Sequence, residues 1–368
     1  MYRWVRAGWS RTPWSHTPGA LLALALLLAA CAATPPVAVA RATPESFAPL
    51  VKRVLPAVVN IAVTETVTGK DLLSEVPPEL RDTPLGREFR RKFGDKRTEA
   101  ISAGSGFIID PAGIIVTNRH VIDHATQIAV ALTDGTELAA RVIGSDELTD
   151  VAVIQVSAPH PLPAVGWGDS RAVEAGDWIL AAGNPFGLGG SVTAGIVSAI
   201  GRDLGGGPFD NFLQLDAPIN PGNSGGPAFN MDGQVVGMTT AIVSPSGGSV
   251  GIGFAVPSEI IRPIVAELRA KGRIDRGWLG VALRDPEEPS SGPVIAEVQR
   301  NTPALRAGLR PGDVVLGING DAIASSRALI RAVAAVPPGE SVRLRVRRQA
   351  RELDIPVIVG RRPDSLTE

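Results

Sequence analysis

The chain has 368 residues, 44% hydrophobic and 20% charged, which marks a globular protein longer than one ordinary domain, with apolar material for two cores. Lys and Arg number 36 against 37 Asp and Glu, and the net charge of −1 excludes the basic footprint of a general nucleic-acid binder. A single cysteine, Cys31, excludes an internal disulfide.

In chain order, residues 1–40 read as an export signal. Arg3, Arg6 and Arg11 precede an apolar run from Ala20 to Ala33 that is too short for a permanent membrane span. Two processing readings stand side by side. Ala38-Val39-Ala40 has the small-x-small form of a cleavage site and gives a soluble product starting near Arg41. Leu28-Ala29-Ala30-Cys31 has the form of a bacterial lipobox, with Cys31 as the lipidated residue and lipid anchor. Either way the destination is the bacterial periplasm, soluble or lipid-anchored.

A first domain is expected over 41–272. Short β-branched runs separated by Gly, Pro, Asp and Asn turns recur over much of 58–256. Residues 66–100 hold no clear strand; Pro77, Pro78 and Pro84 punctuate a long loop with a short amphipathic helix at 85–93. The basic run 87–97 is interleaved with Glu88 and Asp95 and reads as a solvated face.

Two apolar strands, joined by a turn at Asp110 to Gly113, lead to Thr117-Asn118-Arg119-His120. His120 falls at a strand end, where it can face a cleft. The chain has four histidines; His16 lies in the export segment and His160 between Pro159 and Pro161 in a surface turn. His120 and His124 share an i, i+4 spacing, but Val121 replaces the glutamate that a helical zinc motif requires, so no metal is expected. No cofactor is implied. Asp150 opens the strand Asp150-Val151-Ala152-Val153-Ile154 and is the carboxylate available to orient His120. Asp146 and Glu147 are nearby alternatives to it, but in a polar loop they read as solvated.

Pro221-Gly222-Asn223-Ser224-Gly225-Gly226-Pro227 places a serine among glycines. Glycine takes φ > 0 and turns a backbone N–H where other residues cannot. This is how an oxyanion hole is built over Gly222, Asn223 and Ser224, with the amides of Gly222 and Ser224 as the donors. A serine hydroxyl becomes a nucleophile once a base accepts its proton, and His120 supplies one. Pro218 stands six before Ser224. Asp216 is the nearest acid. The loops 203–208 and 244–249 are glycine-rich and flexible in composition.

Ser258 is expected to cap a helix carrying Ile260, Ile261, Ile264, Val265 and Leu268; Pro263 removes one of its hydrogen bonds, and Gly272 ends it. A polar linker, 273–276, marks the boundary to a second domain at 273–360, with 361–368 as a tail. Thr302-Pro303-Ala304 starts a short helix, and 326–335 a second with Leu329, Ile330 and Val333 inward. Within 343–351, Arg343, Arg345 and Arg347 alternate with Leu344 and Val346, as on an exposed strand face.

Thr117-Asn118-Arg119-His120-Val121, Thr149-Asp150-Val151-Ala152-Val153 and Gly222-Asn223-Ser224-Gly225-Gly226-Pro227 resemble the three catalytic blocks of the HtrA/Deg serine proteases. So do Gly183-Asn184-Pro185-Phe186-Gly187, Thr193-Ala194-Gly195-Ile196-Val197-Ser198 and Gly251-Ile252-Gly253-Phe254-Ala255-Val256-Pro257. Trp278-Leu279-Gly280-Val281 resembles the carboxylate-binding loop of PDZ domains, and Leu309-Arg310-Pro311-Gly312-Asp313-Val314 is also PDZ-like. No second copy of this pattern follows in the sequence.

The resemblance covers about 45–360. It implies a mostly β chain: a chymotrypsin-like protease domain of two six-stranded β-barrels, then a smaller α+β PDZ domain. His120, Asp150 and Ser224 would be the triad, and Ile219, Ile252 and Phe254 would line the substrate pocket; with Pro218 where trypsin-type enzymes place an acid, cleavage after small or medium aliphatic residues is expected. The partners implied are unfolded or damaged envelope proteins and C-terminal peptides, held by the amides of Leu279, Gly280 and Val281 beside Trp278. The resemblance also implies switchable loops, a homotrimer or an assembly of trimers, and ATP-independent endoproteolysis. Broad quality control, narrow signalling cleavage, and a holdase or scaffold with an inactive protease domain all remain open.

Overall fold

The computed structural model describes residues 45–68, 83, 87, 91, 97–185, 189–245, 247–285 and 292–363. The export signal, Cys31, His16 and nearly all of 69–96, including the helix expected at 85–93, lie outside these residues.

After a helix α1 (Ala48–Val54), six strands form a closed barrel: β1 (Val58–Thr68), β2 (Arg97–Asp110), β3 (Ile114–Asn118), β4 (Ala125–Ala131), β5 (Glu137–Asp146) and β6 (Val151–Val156). Around it the order is β1-β2-β3-β6-β5-β4, all antiparallel, with β1 pairing β4 to close the ring. Ile61, Val63, Phe107, Ile115, Val130 and Val153 are buried in it. β1 and β2 pair as far as Thr68 and Arg97, so strands reach into both ends of the segment expected to be loop.

A second closed barrel follows: β7 (Trp178–Gly183), β8 (Ser191–Arg202), β9 (Phe212–Leu215), β10 (Pro227–Phe229), β11 (Val235–Ile242) and β12 (Gly253–Pro257). Ile179, Val197, Leu213, Leu215, Val236 and Ala255 form its core. The helical turn α2 (Arg119–Ile122) after β3 carries His120, the β5–β6 connection carries Asp150, and the β9–β10 connection carries Ser224.

The helix α3 (Ser258–Lys271) packs on β5 and β6 of the first barrel and β11 and β12 of the second. Its buried Ile261, Ile264, Val265 and Leu268 recur at i, i+3, i+4 and i+7, the period of one helix face. Gly272 ends it at φ 72, donating to the Leu268 carbonyl. The expected cap is corrected: Pro257 occupies the N-cap, and the Ser258 hydroxyl instead donates to the Gly168 carbonyl at 2.8 Å. The free Glu259 amide is taken by the hydroxyl of Ser170, which opens a distant 3-10 turn, Ser170–Ala172.

The C-terminal region holds the small sheet β13 (Gly277–Trp278) with β20 (Gly360–Arg361), and a larger sheet. The latter runs β14 (Val281–Arg284), β15 (Val294–Val298), β16 (Val314–Ile318), β18 (Ser341–Arg348), β19 (Arg351–Ile358), with β17 (Asp321–Ala322) on β16. Two helices, α4 (Pro303–Arg306) and α5 (Ser326–Ala334), contribute to one core with Leu309, Val315, Leu344 and Val357. Thr302 accepts from Leu305 N and Ser325 from Ala328 N as their caps.

Candidate active site

Asp150 has φ 54, a left-handed conformation that a non-glycine residue rarely adopts. Five polar groups on four other residues secure it. Its carbonyl accepts Arg119 N at 3.1 Å and Asn118 Nδ2 at 3.0 Å. Its Oδ1 accepts His120 N at 3.0 Å, and its Oδ2 lies 2.7 Å from His120 Nδ1 and accepts Thr240 Oγ1 at 2.8 Å. A carboxylate against Nδ1 holds the proton on that nitrogen, so Nε2 is the lone-pair face of the imidazole. His124 lies beyond the four-residue α2, at φ 56 and with an 85% exposed side chain, so the two imidazoles do not share a helix face.

Ser224 is drawn into the same cluster by Thr240. Its hydroxyl lies 3.4 Å from the Thr240 carbonyl, while the Thr240 hydroxyl is on Asp150. The serine hydroxyl is directed at that carbonyl and not at the His120 ring, and catalytic hydrogen bonds commonly shorten only when substrate is bound. Sequence reasoning missed Thr240 and Asn118. A threonine in a β-branched strand and an asparagine before a histidine carry no local signal of the distant partner they find.

Before the serine, Asn220-Pro221-Gly222-Asn223 forms a type II turn. Asn223 N donates to the Asn220 carbonyl at 3.0 Å, proline takes the second position and Gly222, at φ 94, the third. The Asn223 amide is therefore committed. The amides of Gly222 and Ser224 donate to no described residue, which leaves these two of the three expected oxyanion-hole residues with free N–H groups.

Of the expected pocket residues, Ile219 is 2% exposed and packs in the second barrel core against Gly253, where an added Cβ would meet its Cγ1 at 2.7 Å. Phe254 is also buried, edge-on to Phe212. Ile252 is half-buried and is the one of the three with appreciable surface to offer. Asp216 is occupied structurally, its Oδ1 accepting Ile196 N at 2.5 Å.

Asp146 is corrected. It ends β5 at 7% exposure, accepts from Thr149 N, and pairs with the buried Arg276 of the linker, whose guanidinium also lies over Phe209. Its partner is 130 residues away, which is why it looked solvated.

A cavity of about 240 Å³ lies between the Trp278–Val281 stretch with β14 on one side and Leu329, Ile330 and Val333 of α5 on the other. The Leu279 carbonyl accepts Ala304 N at 2.9 Å and the Gly280 carbonyl accepts Gln299 N at 3.0 Å. Leu148 and Pro208, from the barrel region, complete its lining. On the same helix, Arg327 and Arg331 donate to the carbonyls of Pro208 and Asp210, and Arg327 pairs with Asp203.

Residues 104–238 match the family model of a trypsin-like peptidase domain, and residues 277–359 that of a PDZ domain. A protein of Brucella suis biovar 1 named a probable periplasmic serine endoprotease DegP-like is 41% identical over 356 residues, covering 86% of this chain and 69% of that protein. A variant of the HtrA-type protease AlgW, solved with a decapeptide, is 39% identical, with a TM-score of 0.78 over 88% of this chain and 99% of that one. The serine endoprotease from Yersinia pestis is 32% identical, with a TM-score of 0.68 over 88% of this chain and 100% of that one.

Proposed function

Since the chain belongs to the HtrA/DegP-like family of serine endoproteases, we propose that Ser224 is its nucleophile, His120 the general base and Asp150 the group that orients His120. The observation that carries this is the 2.7 Å contact of His120 Nδ1 with Asp150 Oδ2, in a cluster that Thr240 extends to Ser224. In this reading Ser224 Oγ attacks the scissile carbonyl and passes its proton to His120 Nε2. The carbonyl oxygen takes up negative charge against the amides of Gly222 and Ser224. His120 then gives the proton to the leaving amine, and water hydrolyses the acyl-enzyme by the same route. Asp150 stabilises the imidazolium without taking its proton.

The substrates are unfolded or damaged envelope proteins, cut after aliphatic residues. Pro218 stands six before Ser224 where an acid would receive Lys or Arg, and Asp216, the nearest acid, already accepts Ile196 N with one oxygen. The PDZ groove takes a hydrophobic C-terminal peptide added beside β14, a reading in keeping with the decapeptide of the AlgW structure. Regulation is part of the proposal, because the groove shares its lining with Leu148, two residues before Asp150, and with Pro208. Relatives named periplasmic support a reading in which it works in the periplasm. Soluble and Cys31-lipidated forms are separated by mass spectrometry of the exported protein, and a trimer by light scattering.

The test compares degradation of a reduced, unfolded protein by wild type and Ser224→Ala, with and without a hydrophobic C-terminal peptide. Wild-type cleavage absent from Ser224→Ala supports the triad; equal degradation by both forms sinks it. Strict dependence on the peptide favours the narrow signalling protease over broad quality control. Protection of the client from aggregation without cleavage by wild type favours a holdase.

A further inference from the structure

We propose that Ser105, in β2 of the first barrel, is a positioning residue for the oxyanion hole in the second. The inference rests on the reading that Ser224 is the nucleophile and that the Gly222 and Ser224 amides receive the oxyanion. Ser105 is fully buried, and each of its polar groups has a partner. Its N–H donates to the Ser224 carbonyl at 2.8 Å, and its own carbonyl accepts Thr117 Oγ1 at 2.7 Å. Its hydroxyl accepts Asn184 N at 2.8 Å and lies 2.6 Å from the Gly222 carbonyl.

The direction of the last bond follows from valence. An amide N–H is only a donor and a carbonyl only an acceptor, so the single hydroxyl hydrogen of Ser105 goes to Gly222 O. That hydrogen bond is buried, and the incoming Asn184 N–H polarises the hydroxyl further. One residue of the first barrel thus holds the carbonyls of both residues whose amides form the hole.

The intervening carbonyl, Asn223 O, is held by Thr239 Oγ1 at 2.6 Å, a second fully buried hydroxyl, and by Gly226 N at 2.9 Å. A trans peptide sets its C=O and N–H antiparallel, so fixing Asn223 O aims the Ser224 N–H the other way. Ser105 fixes the planes on either side of that one, and with them the Cα of Gly222 and of Ser224. The type II turn orients the Gly222 amide about an anchor that Ser105 supplies. There is little slack, since an added Cβ at Gly183 would stand 3.0 Å from the Ser105 hydroxyl.

The test uses the full chain as Ser105→Ala, Ser105→Cys and Thr239→Val. It reads turnover of a peptide with an aliphatic residue before the scissile bond, inhibition by a peptide boronate, and Tm. The boronate bonds to Ser224 and places an oxygen in the hole, so it reports the hole directly. Ser105→Ala is expected to lower kcat about 10- to 100-fold, the scale of a small misplacement in an active site. KM should stay within about 2-fold, and the boronate should weaken by the same factor as kcat. Ser105→Cys, nearly isosteric and a weak donor, is expected to lie between wild type and Ser105→Ala, and it decides the matter if the alanine variant does not fold. Boronate affinity within about 2-fold of wild type in a folded Ser105 variant overturns the proposal, as does a raised KM at unchanged kcat. Ser224→Ala runs alongside: if it still cleaves, the nucleophile assignment fails, whereas an inactive Ser224→Ala beside an unaffected Ser105→Ala defeats the clamp alone.

Discussion

At Asp150, a strained backbone and two barrels meet in one carboxylate. The first barrel supplies its main-chain anchors and His120, and the second supplies Thr240. Asp150→Asn should keep the shape while placing an amide NH2 at the Oδ2 position, where it no longer accepts the Thr240 hydroxyl and faces Nδ1 as a donor, which favours the wrong tautomer. A fall in kcat of about 10⁴ is expected with little change in Tm. Thr240→Val should cost about 10-fold in kcat, the scale of one hydrogen bond to a charged group, with KM unchanged. Steady-state kinetics on one peptide substrate check both. The three triad candidates were legible because few residue types can do their chemistry, and each sits beside a strand end that its flanking residues announce. Thr240, Ser105 and Asp146 were not, because their roles exist only across long sequence separations: Asp146 meets Arg276, and Thr240 lies 90 residues beyond Asp150.

Among elements, the turn before Ser224 carries the sharpest constraint. Gly222 sits at φ 94, and an added Cβ would stand 2.7 Å from Pro185 Cβ. Gly222→Ala should therefore leave the type II turn, turn its amide out of the proposed oxyanion hole and lower kcat/KM at least about 100-fold, as loss of one oxyanion donor does. Peptide turnover set against Tm separates this from unfolding. In the C-terminal sheet, Asp313 is 1% exposed; burial would raise its pKa, but Arg348, meeting both carboxylate oxygens at 2.7 and 2.8 Å, holds it below the ordinary carboxylate value. A depressed folded pKa contributes stability in full above the unfolded value and loses it as pH falls through the folded one. The C-terminal transition should accordingly weaken below about pH 4, and Asp313→Asn should flatten that dependence in a melting series. Periodicity and Gly272 made α3 legible. Its cap was not, since Ser258 turns its hydroxyl to Gly168. The prolines of 77–84 also drew attention from the β-branched arms that extend β1 and β2.

Over the whole molecule, the two barrels and the PDZ sheet followed from recurrent short strands and the family motifs, but the contacts joining them did not. Arginines on an exposed helix face look merely solvated until Arg327 and Arg331 are seen on the carbonyls of Pro208 and Asp210. If these contacts restrain the protease loop, the double variant Arg327→Ala, Arg331→Ala should raise activity without peptide and reduce its stimulation by peptide; unchanged basal and stimulated rates would exclude that role. The sheet edges carry a different consequence. Both barrels are closed into rings, and β19, one margin of the PDZ sheet, is studded with Arg351, Glu352, Asp354 and Pro356. β14, the other margin, is Val281-Ala282-Leu283-Arg284 beside the apolar groove. Under the proposed function, a protein that works among misfolded chains would thereby be guarded against co-aggregating with them, and strand pairing would be invited at the β14 margin, beside the groove proposed to read a captured chain end.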